Sequence, residues 1–410
     1  MKMRIGIVGL GYIGSVTGAV LASKGHDVVG VDIDKERVES FKSGNMPLYE
    51  PGLKQTLESC REKIEFTSDY GSLRGAEAIF VCVATPSKNG KIDLTYVKEA
   101  CKSIQANSPE STIVIKSTVV PGTAKEVMEE TGMKVVSNPE FTREGTAIND
   151  TIKPDRVVVG SRSQEGYELL RRIWNFVESP FVETTNENAE LIKYASNSFL
   201  ATKISFINEY ANLCEKIENA DVTSVALGMG LDRRIGKDFL RAGLGFGGSC
   251  FPKDTEAIAA FAREKGEKLS IVEAAMSVNT TRERRIIQLC ELSSGSKLTG
   301  MKVCLLGLSF KDDTDDLRES KSLKLLNAMK RDGAEVKTFD PIIKKDKIPE
   351  ACDSISQCLE GSDLAILATE WPQFSDLLTG FKGTLIDARR IVGPEKVKKY
   401  VGVGRYYAEN

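Results

Sequence analysis

The stretch Gly243-Leu-Gly-Phe-Gly-Gly-Ser-Cys-Phe-Pro-Lys-Asp254 holds the residues best suited to covalent chemistry. Cys250 follows four glycines in six residues and precedes Lys253 and Asp254. Glycines let backbone N–H groups approach a ligand closely. A thiol near a cation and backbone dipoles ionises more readily and becomes a nucleophile. The alternative is a glycine-rich turn around a structural cysteine, a description that fits the other eight cysteines better. The chain has one histidine, His26, placed where a loop enters the second strand. Acid–base work therefore falls to Lys, Asp, Glu, Cys or water.

A thiol needs elements to aim it. Residues 3–9 read as a buried strand, followed by Gly9-Leu-Gly11-Tyr-Ile-Gly14, a helical stretch to about Lys24, and Asp27-Val-Val-Gly-Val-Asp32. Strand, G-x-G-x-x-G, helix, strand and acid in that order form a dinucleotide-binding fingerprint. The glycines permit the tight turn and close approach of the pyrophosphate to the helix N-terminus. Asp32 would accept from the ribose hydroxyls, and its charge would repel a 2′-phosphate, which favours NAD over NADP. Further strands end in polar residues: Ala78–Ala84 before Thr85-Pro86, Thr112–Thr118, and Lys134–Pro139 before Glu140. Ligands bind at such ends in open α/β sheets, which makes Thr85, Thr118 and Glu140 candidates. Ordinary turn chemistry accounts for each of them taken singly.

Between Phe181 and Leu227 there is no Gly or Pro, and Leu191, Ala195, Phe199, Thr202 and Phe206 recur at helical spacing. The spacing predicts one helix over 188–216, about 45 Å long, which suits a connector and a subunit interface. Lys193 and Asn197 share a face of it. A Ser/Gly-rich run, Ser293–Gly300, reads as a boundary. After it, Met301–Ser309 and Gly333–Asp340 echo Met3–Gly11 and Gly25–Asp32. This second βαβ unit lacks the later glycines and carries a longer crossover, Phe310–Ser320. Lys311 and Arg318 there suit phosphates; the four aspartates suit a mixed-charge solvated loop.

At 410 residues the chain is long enough for two or three domains. Its net charge of −2 indicates no nucleic-acid or membrane-surface partner. No apolar run is long enough to span a bilayer, and the N-terminus carries no signal-peptide pattern. Nine cysteines without a C-x-x-C pair point to reduced thiols in a cytoplasm, without a disulfide framework or a metal site.

These features together resemble the UDP-glucose/GDP-mannose dehydrogenase family over essentially the whole length. The resemblance rests on Gly9-x-Gly-Tyr-x-Gly14, Ser-Asn-Pro-Glu140-Phe-x-x-Glu144-Gly, Pro-Asp-Arg156, Lys193-x-x-x-Asn197, Arg234-Ile-Gly, Gly245–Asp254, Phe310-Lys-x-x-Thr-x-Asp-x-Arg318-Glu-Ser and Ala-Thr-Glu-Trp371. It implies two Rossmann-like, doubly wound α/β domains joined by a long central helix with an α-helical dimerisation region. The boundaries expected are 1–185 for NAD, 186–292 for the helix, dimerisation and cysteine, and 293–410 for the UDP-sugar.

The implied reaction is a metal-free, four-electron oxidation of a nucleotide-sugar C6 alcohol to a carboxylate with two NAD. UDP-glucose is the first candidate; GDP-mannose and a UDP-N-acetylhexosamine are alternatives, as is a two-electron hydroxyacid dehydrogenase. The resemblance gives proton transfer to a water held by Thr118 and Asp254, covalent attack to Cys250, oxyanion stabilisation to Lys193 and Asn197, and thioester hydrolysis to Glu140. NAD would meet Gly9, Gly11, Tyr12, Ile13, Gly14, Asp32, Arg37, Thr85, Thr118, Glu144, Lys253 and Arg318. The sugar nucleotide would meet Glu140, Phe141, Glu144, Lys193, Asn197, Phe239, Arg241, Gly247, Phe251, Phe310, Lys311 and Arg389. Arg234 would reach the neighbouring subunit's site in a homodimer.

Overall fold

The structure, a computed structural model, describes residues 2–88 and 90–406. The chain divides into two compact units, Met1–Ser196 and Asn197–Asn410.

The first unit is built on an eight-stranded sheet. Its strands are β1 (Arg4–Val8), β2 (Asp27–Val31), β3 (Ile64–Thr67), β4 (Ala78–Val81), β7 (Thr112–Ile115), β8 (Val135–Ser137), β9 (Val157–Gly160) and β10 (Phe181–Thr184). A small hairpin of β5 (Ser87–Lys88) and β6 (Lys91–Ile92) stands apart. The order is β10-β9-β8-β7-β4-β1-β2-β3, parallel except between β8 and β9. The central strands are short Val/Ile-rich runs buried on both faces, as parallel strands between helical layers must be. Alternate residues feed two cores: Ile5, Ile7, Phe80 and Val114 go to one, and Val8, Ile79, Val81, Ile113 and Ile115 to the other.

The second unit carries a five-stranded, all-parallel sheet. Its strands are β11 (Lys302–Leu306), β12 (Glu335–Phe339), β13 (Leu364–Leu367), β14 (Thr384–Asp387) and β15 (Lys399–Gly402), in the order β12-β11-β13-β14-β15. Strand order reverses between β1 and β4 in one sheet and between β11 and β13 in the other. Those reversals open a crevice at the C-terminal strand ends, where such sheets take ligands.

The repeat seen in the sequence is a repeat of geometry. Gly9 N donates to Val31 O and Gly307 N to Phe339 O, both at 2.8 Å. Both glycines are left-handed, at φ +93° and +89°. Asp32 accepts from Leu10 N at 2.7 Å, and Asp340 from Leu308 N at 2.8 Å.

The long helix runs Asn186–Cys214, 29 residues, or about 44 Å. The segment Ser293–Gly300 lies inside the second unit. There the helix Arg282–Ser294 ends at left-handed Gly295, and Leu298 packs in one core with Ile286 and Val303. One expectation is corrected. Cys304 on β11 and Cys358 on the helix Ile355–Leu359 form a disulfide, with a Cα–Cα distance of 5.4 Å. The crossover packs that helix on β11 and brings together two fully buried thiols 54 residues apart. Neither motif spacing nor cysteine count carries that information.

Candidate active site

The dinucleotide turn fits its expected ligand. At Gly14 a Cβ would stand 1.8 Å from the Gly9 carbonyl oxygen, so the helix can begin hard against the strand only with glycine there. At Gly11 there is open space. The helix Tyr12–Ser23 starts without a side-chain cap, which leaves its first N–H groups available to an anion. Asp32 is buried; it accepts from Leu10 N and from Asp34 N at 2.9 Å, and lies 3.3 Å from the Arg37 guanidinium. The acid thus holds the turn in shape as well as standing at the end of β2. Ile13 follows Tyr12 in the first helical turn, and Thr85 is buried beyond the end of β4. Thr118 is half-buried beyond β7. Ser117 beside it donates to Val83 O at 2.7 Å, tying the ends of β7 and β4 together.

Glu140 and Lys193 form a buried pair in the first unit. Lys193 Nζ donates to Glu140 Oε1 and to the Glu140 carbonyl, each at 2.7 Å. Glu140 also accepts from Thr142 N and Thr142 Oγ1. Burial pushes the Glu140 acid up, but the Lys193 ammonium and these donors outweigh it and hold the carboxyl below its ordinary range. Glu140 is therefore a carboxylate at neutral pH. Phe141 stacks under the Arg156 guanidinium at 3.8 Å and lies 5.4 Å from Lys193 Nζ. Glu144 stands half-buried in the loop that follows.

In the second unit, Cys250 caps the N-terminus of the helix Phe251–Glu264, whose early Pro252 suits a helix start. Of the nine cysteines it is the one exposed. Burial pushes the thiols of Cys82, Cys101 and Cys290 up to about 12, which leaves them unreactive. Asp254, one turn into the same helix, is buried and accepts from Asn197 Nδ2 at 2.6 Å and from Lys253 Nζ at 2.5 Å. Asn197 thus spends one of its two amide hydrogens on Asp254.

The glycine-rich approach to Cys250 is pinned along its length. Gly243 N donates to Asn208 Oδ1, and Arg282 Nε donates to Gly243 O. Asn279 takes both the N–H and the C=O of Phe246. A Cβ on Gly245 would strike Asn279 Oδ1 at 2.1 Å; one on Gly247 would strike Glu319 O at 2.4 Å; one on Gly248 would strike the Phe310 ring at 2.8 Å. Gly248 N donates to Arg318 O at 3.1 Å. The loops leaving β11 are thus in contact with the cysteine stretch. The Phe251 ring meets Phe239 and Phe246, each at 6.0 Å between centroids. Arg389 Nε donates to Ala368 O and lies 3.3 Å from Glu370, which also faces Arg241 at 3.9 Å. Lys311 Nζ lies 6.0 Å from the Phe310 ring centroid, and the Arg318 guanidinium chelates Asp316. Arg234 is held by Asp232 on the surface. Among the described residues, four of the five non-glycine residues at positive φ are Phe239, Asp313, Glu319 and Arg390. Such strain gathers where ligands are gripped.

Two mainly parallel sheets with glycine turns, one bearing a full dinucleotide fingerprint, and one exposed cysteine at a helix head define a dinucleotide-dependent oxidoreductase. The chain belongs to the UDP-glucose/GDP-mannose dehydrogenase family. It matches that family's NAD-binding domain over residues 3–178, its central domain over 187–281 and its UDP-binding domain over 304–394. It is 39% identical to the UDP-glucose 6-dehydrogenase TuaD of Bacillus subtilis, across 98% of this chain and 93% of that one. It is 40% identical to a UDP-glucose 6-dehydrogenase of Rhizobium meliloti, across 98% and 100%. The solved UDP-glucose dehydrogenase of Pyrobaculum islandicum superposes with a TM-score of 0.92 at 36% identity, covering 99% of this chain and 98% of that one.

Sequence reasoning passed over Glu50, Glu190, Asn208, Asn279 and Arg282. A signal for some of them was present. Asn186, Glu190, Lys193 and Asn197 follow helical spacing, and all four are buried. Buried polar groups in a line on one helix are there to hold something.

Proposed function

We propose that this protein oxidises UDP-glucose at C6 to UDP-glucuronate, with two NAD and one water per turnover. The observation that carries the reading is Cys250, alone exposed among the cysteines, at a helix head one turn from the buried Asn197–Asp254 pair and its Lys253 partner. The two UDP-glucose 6-dehydrogenases named above, 39% and 40% identical, support the choice of substrate. NAD, held by the Gly9–Gly14 turn, Asp32 and Arg37, supplies the hydride acceptor for both oxidations.

In the first oxidation C6 loses a hydride to the cofactor while a water held by Thr118 and Asp254 takes the hydroxyl proton, leaving the aldehyde. Cys250 sulfur then adds to the aldehyde carbon, giving a thiohemiacetal. The positive end of the helix favours negative charge at that sulfur. Lys193 and the second amide hydrogen of Asn197 stabilise the developing oxyanion. Loss of the second hydride leaves a thioester on Cys250. Glu140, ionised and buried, takes a proton from the water that cleaves it, releasing the carboxylate and the thiol.

The chain is organised as an NAD domain (1–185), a central helix and dimerisation region carrying the cysteine (186–292) and a UDP-sugar domain (293–410). Gly247, Phe251, Phe310, Lys311 and Arg389 serve the sugar nucleotide, and Arg318 serves NAD. The enzyme works in the cytoplasm without membrane or nucleic-acid partners; among the described residues no helix is long and apolar enough to cross a membrane. The protein acts as a homodimer.

The test counts NADH against acid. The wild-type chain should form two NADH per UDP-glucose consumed. Cys250→Ser should form no more than about one NADH per subunit and lose UDP-glucuronate formation by at least about a thousandfold, since the covalent step has no substitute. Full acid output from Cys250→Ala would overturn the thioester route.

A further inference from the structure

Glu50 has no part in the chemistry above, yet three donors converge on it. It is buried at 6% exposure, in Tyr49-Glu50-Pro51, ahead of the helix Leu53–Ser59. Gly145 N donates to its Oε2 and Ala147 N to its Oε1, each at 2.7 Å. The Tyr12 hydroxyl donates to Oε2 as well. Gly145 N also reaches the Tyr12 oxygen at 3.2 Å. Burial raises the Tyr12 phenol far above its ordinary range, and the Glu50 carboxylate adds to the rise, so the phenol stays protonated and remains a donor.

The three donors come from two segments with separate duties. Tyr12 opens the helix that begins at the dinucleotide turn, directly after Gly11. Gly145 directly follows Glu144, in the loop that also carries Glu140. A single carboxylate 38 residues from one and 95 from the other holds them together. Hydrogen bonds to a buried charge are short and costly to break singly, because the charge is then left unpaired. A shift of the helix start is therefore passed to the backbone beside Glu144.

We propose that Glu50 is a positioning residue that couples occupation of the dinucleotide turn to the placement of the Glu140–Glu144 loop. The inference rests on the proposed function, with Glu140, Phe141 and Glu144 of that loop meeting the sugar nucleotide as the family resemblance implies. Coupling through one group is reciprocal: a cofactor that settles the loop is itself bound more tightly when the sugar nucleotide settles it first.

Hydrogen exchange on the full-length chain tests this, with NADH as the ligand because NADH does not turn over with UDP-glucose. In the wild type, NADH should slow exchange at the Gly145 and Ala147 amides. Tyr12→Phe removes one bond and leaves Glu50 on both amides. Tyr12 borders the NAD turn, so NADH is set at a concentration that saturates each protein; at saturation the response at 145–147 should be lost both in that variant and in Glu50→Gln. The sugar nucleotide KM of Tyr12→Phe should rise roughly fivefold, a typical coupling, with kcat changed less. A carboxylate that merely caps the short helix would leave the Tyr12→Phe response as in the wild type, and that result, or no NADH response in the wild type, overturns the proposal. Failure of the functional reading shows separately, as no NADH formed from UDP-glucose by the wild-type chain.

Discussion

Glu190 holds Gly122 N at 2.6 Å and Ala124 N at 2.9 Å, and so fixes the turn that follows Thr118 to the helix bearing Lys193. Burial pushes its acid up to about 7, with Glu187 adding to the rise and the two backbone donors opposing it. The sign of the consequence follows. Below about pH 4.5 both folded and unfolded chains carry the proton, and the group's contribution to stability is complete. As pH rises from 4.5 through 7, the unfolded chain ionises first and the contribution is lost. Relative to Glu190→Gln, the wild type should therefore lose about 3 kcal/mol between pH 4.5 and pH 8. Denaturant midpoints of both proteins at pH 4.5, 6 and 8 measure this, and a gap independent of pH contradicts it. Lys193 and Asn197 were legible as a pair because their spacing sets them on one helix face, and the family resemblance gave them the oxyanion. Glu190 was not, because a glutamate on a helix looks the same in sequence whether it meets water or two amides.

At the scale of elements, the two turns after β1 and β11 share a hydrogen-bonded frame but differ at the glycines that follow it. Gly9 and Gly14 are required by packing, since a Cβ at either would strike backbone. Gly11 is different: its φ is −71° and nothing lies within 4 Å of an added Cβ. Gly11→Ala should leave the melting temperature within about 2 °C and weaken NADH binding at least about tenfold, the cost of one lost close approach. A loss of stability with unchanged affinity would mean that Gly11 serves the fold. The strands, both turns and the long helix were legible because hydrophobic period and glycine placement are local. The Cys304–Cys358 bridge was not, because a crossover of 54 residues decides it.

For the whole molecule, the long helix shows solvent an apolar line, Phe199 at 65% exposure, then Phe206, Tyr210 and Leu213, and Ile217 follows it just past the helix end. Leu227 and Leu231 are also exposed, at 63% and 75%. Apolar patches of this extent mark interfaces, which supports the proposed homodimer. Phe199→Lys with Leu213→Lys should give a monomer by light scattering. Arg234 provides the sharper test of what the dimer does. Cys250→Ala and Arg234→Ala should each be inactive. Mixed after unfolding and refolding together, they should recover about a quarter of the wild-type rate, because half the dimers then carry one complete site. No recovery would place Arg234 in its own subunit's chemistry.

From sequence alone came the dinucleotide fingerprint, the degenerate second βαβ unit, the uninterrupted helix and a cysteine set among glycines. Each rests on residue types within a turn or a helical period of one another, and that proximity is covalent. Tertiary structure decided that Glu140 is paired with Lys193 and ionised, that Asn197 spends one hydrogen on Asp254, that the glycines before Cys250 are each backed by a side chain or a carbonyl, and that Glu50 joins the dinucleotide turn to the Glu144 loop. These depend on burial and on partners tens of residues away, and folding alone brings such groups within a hydrogen bond of each other.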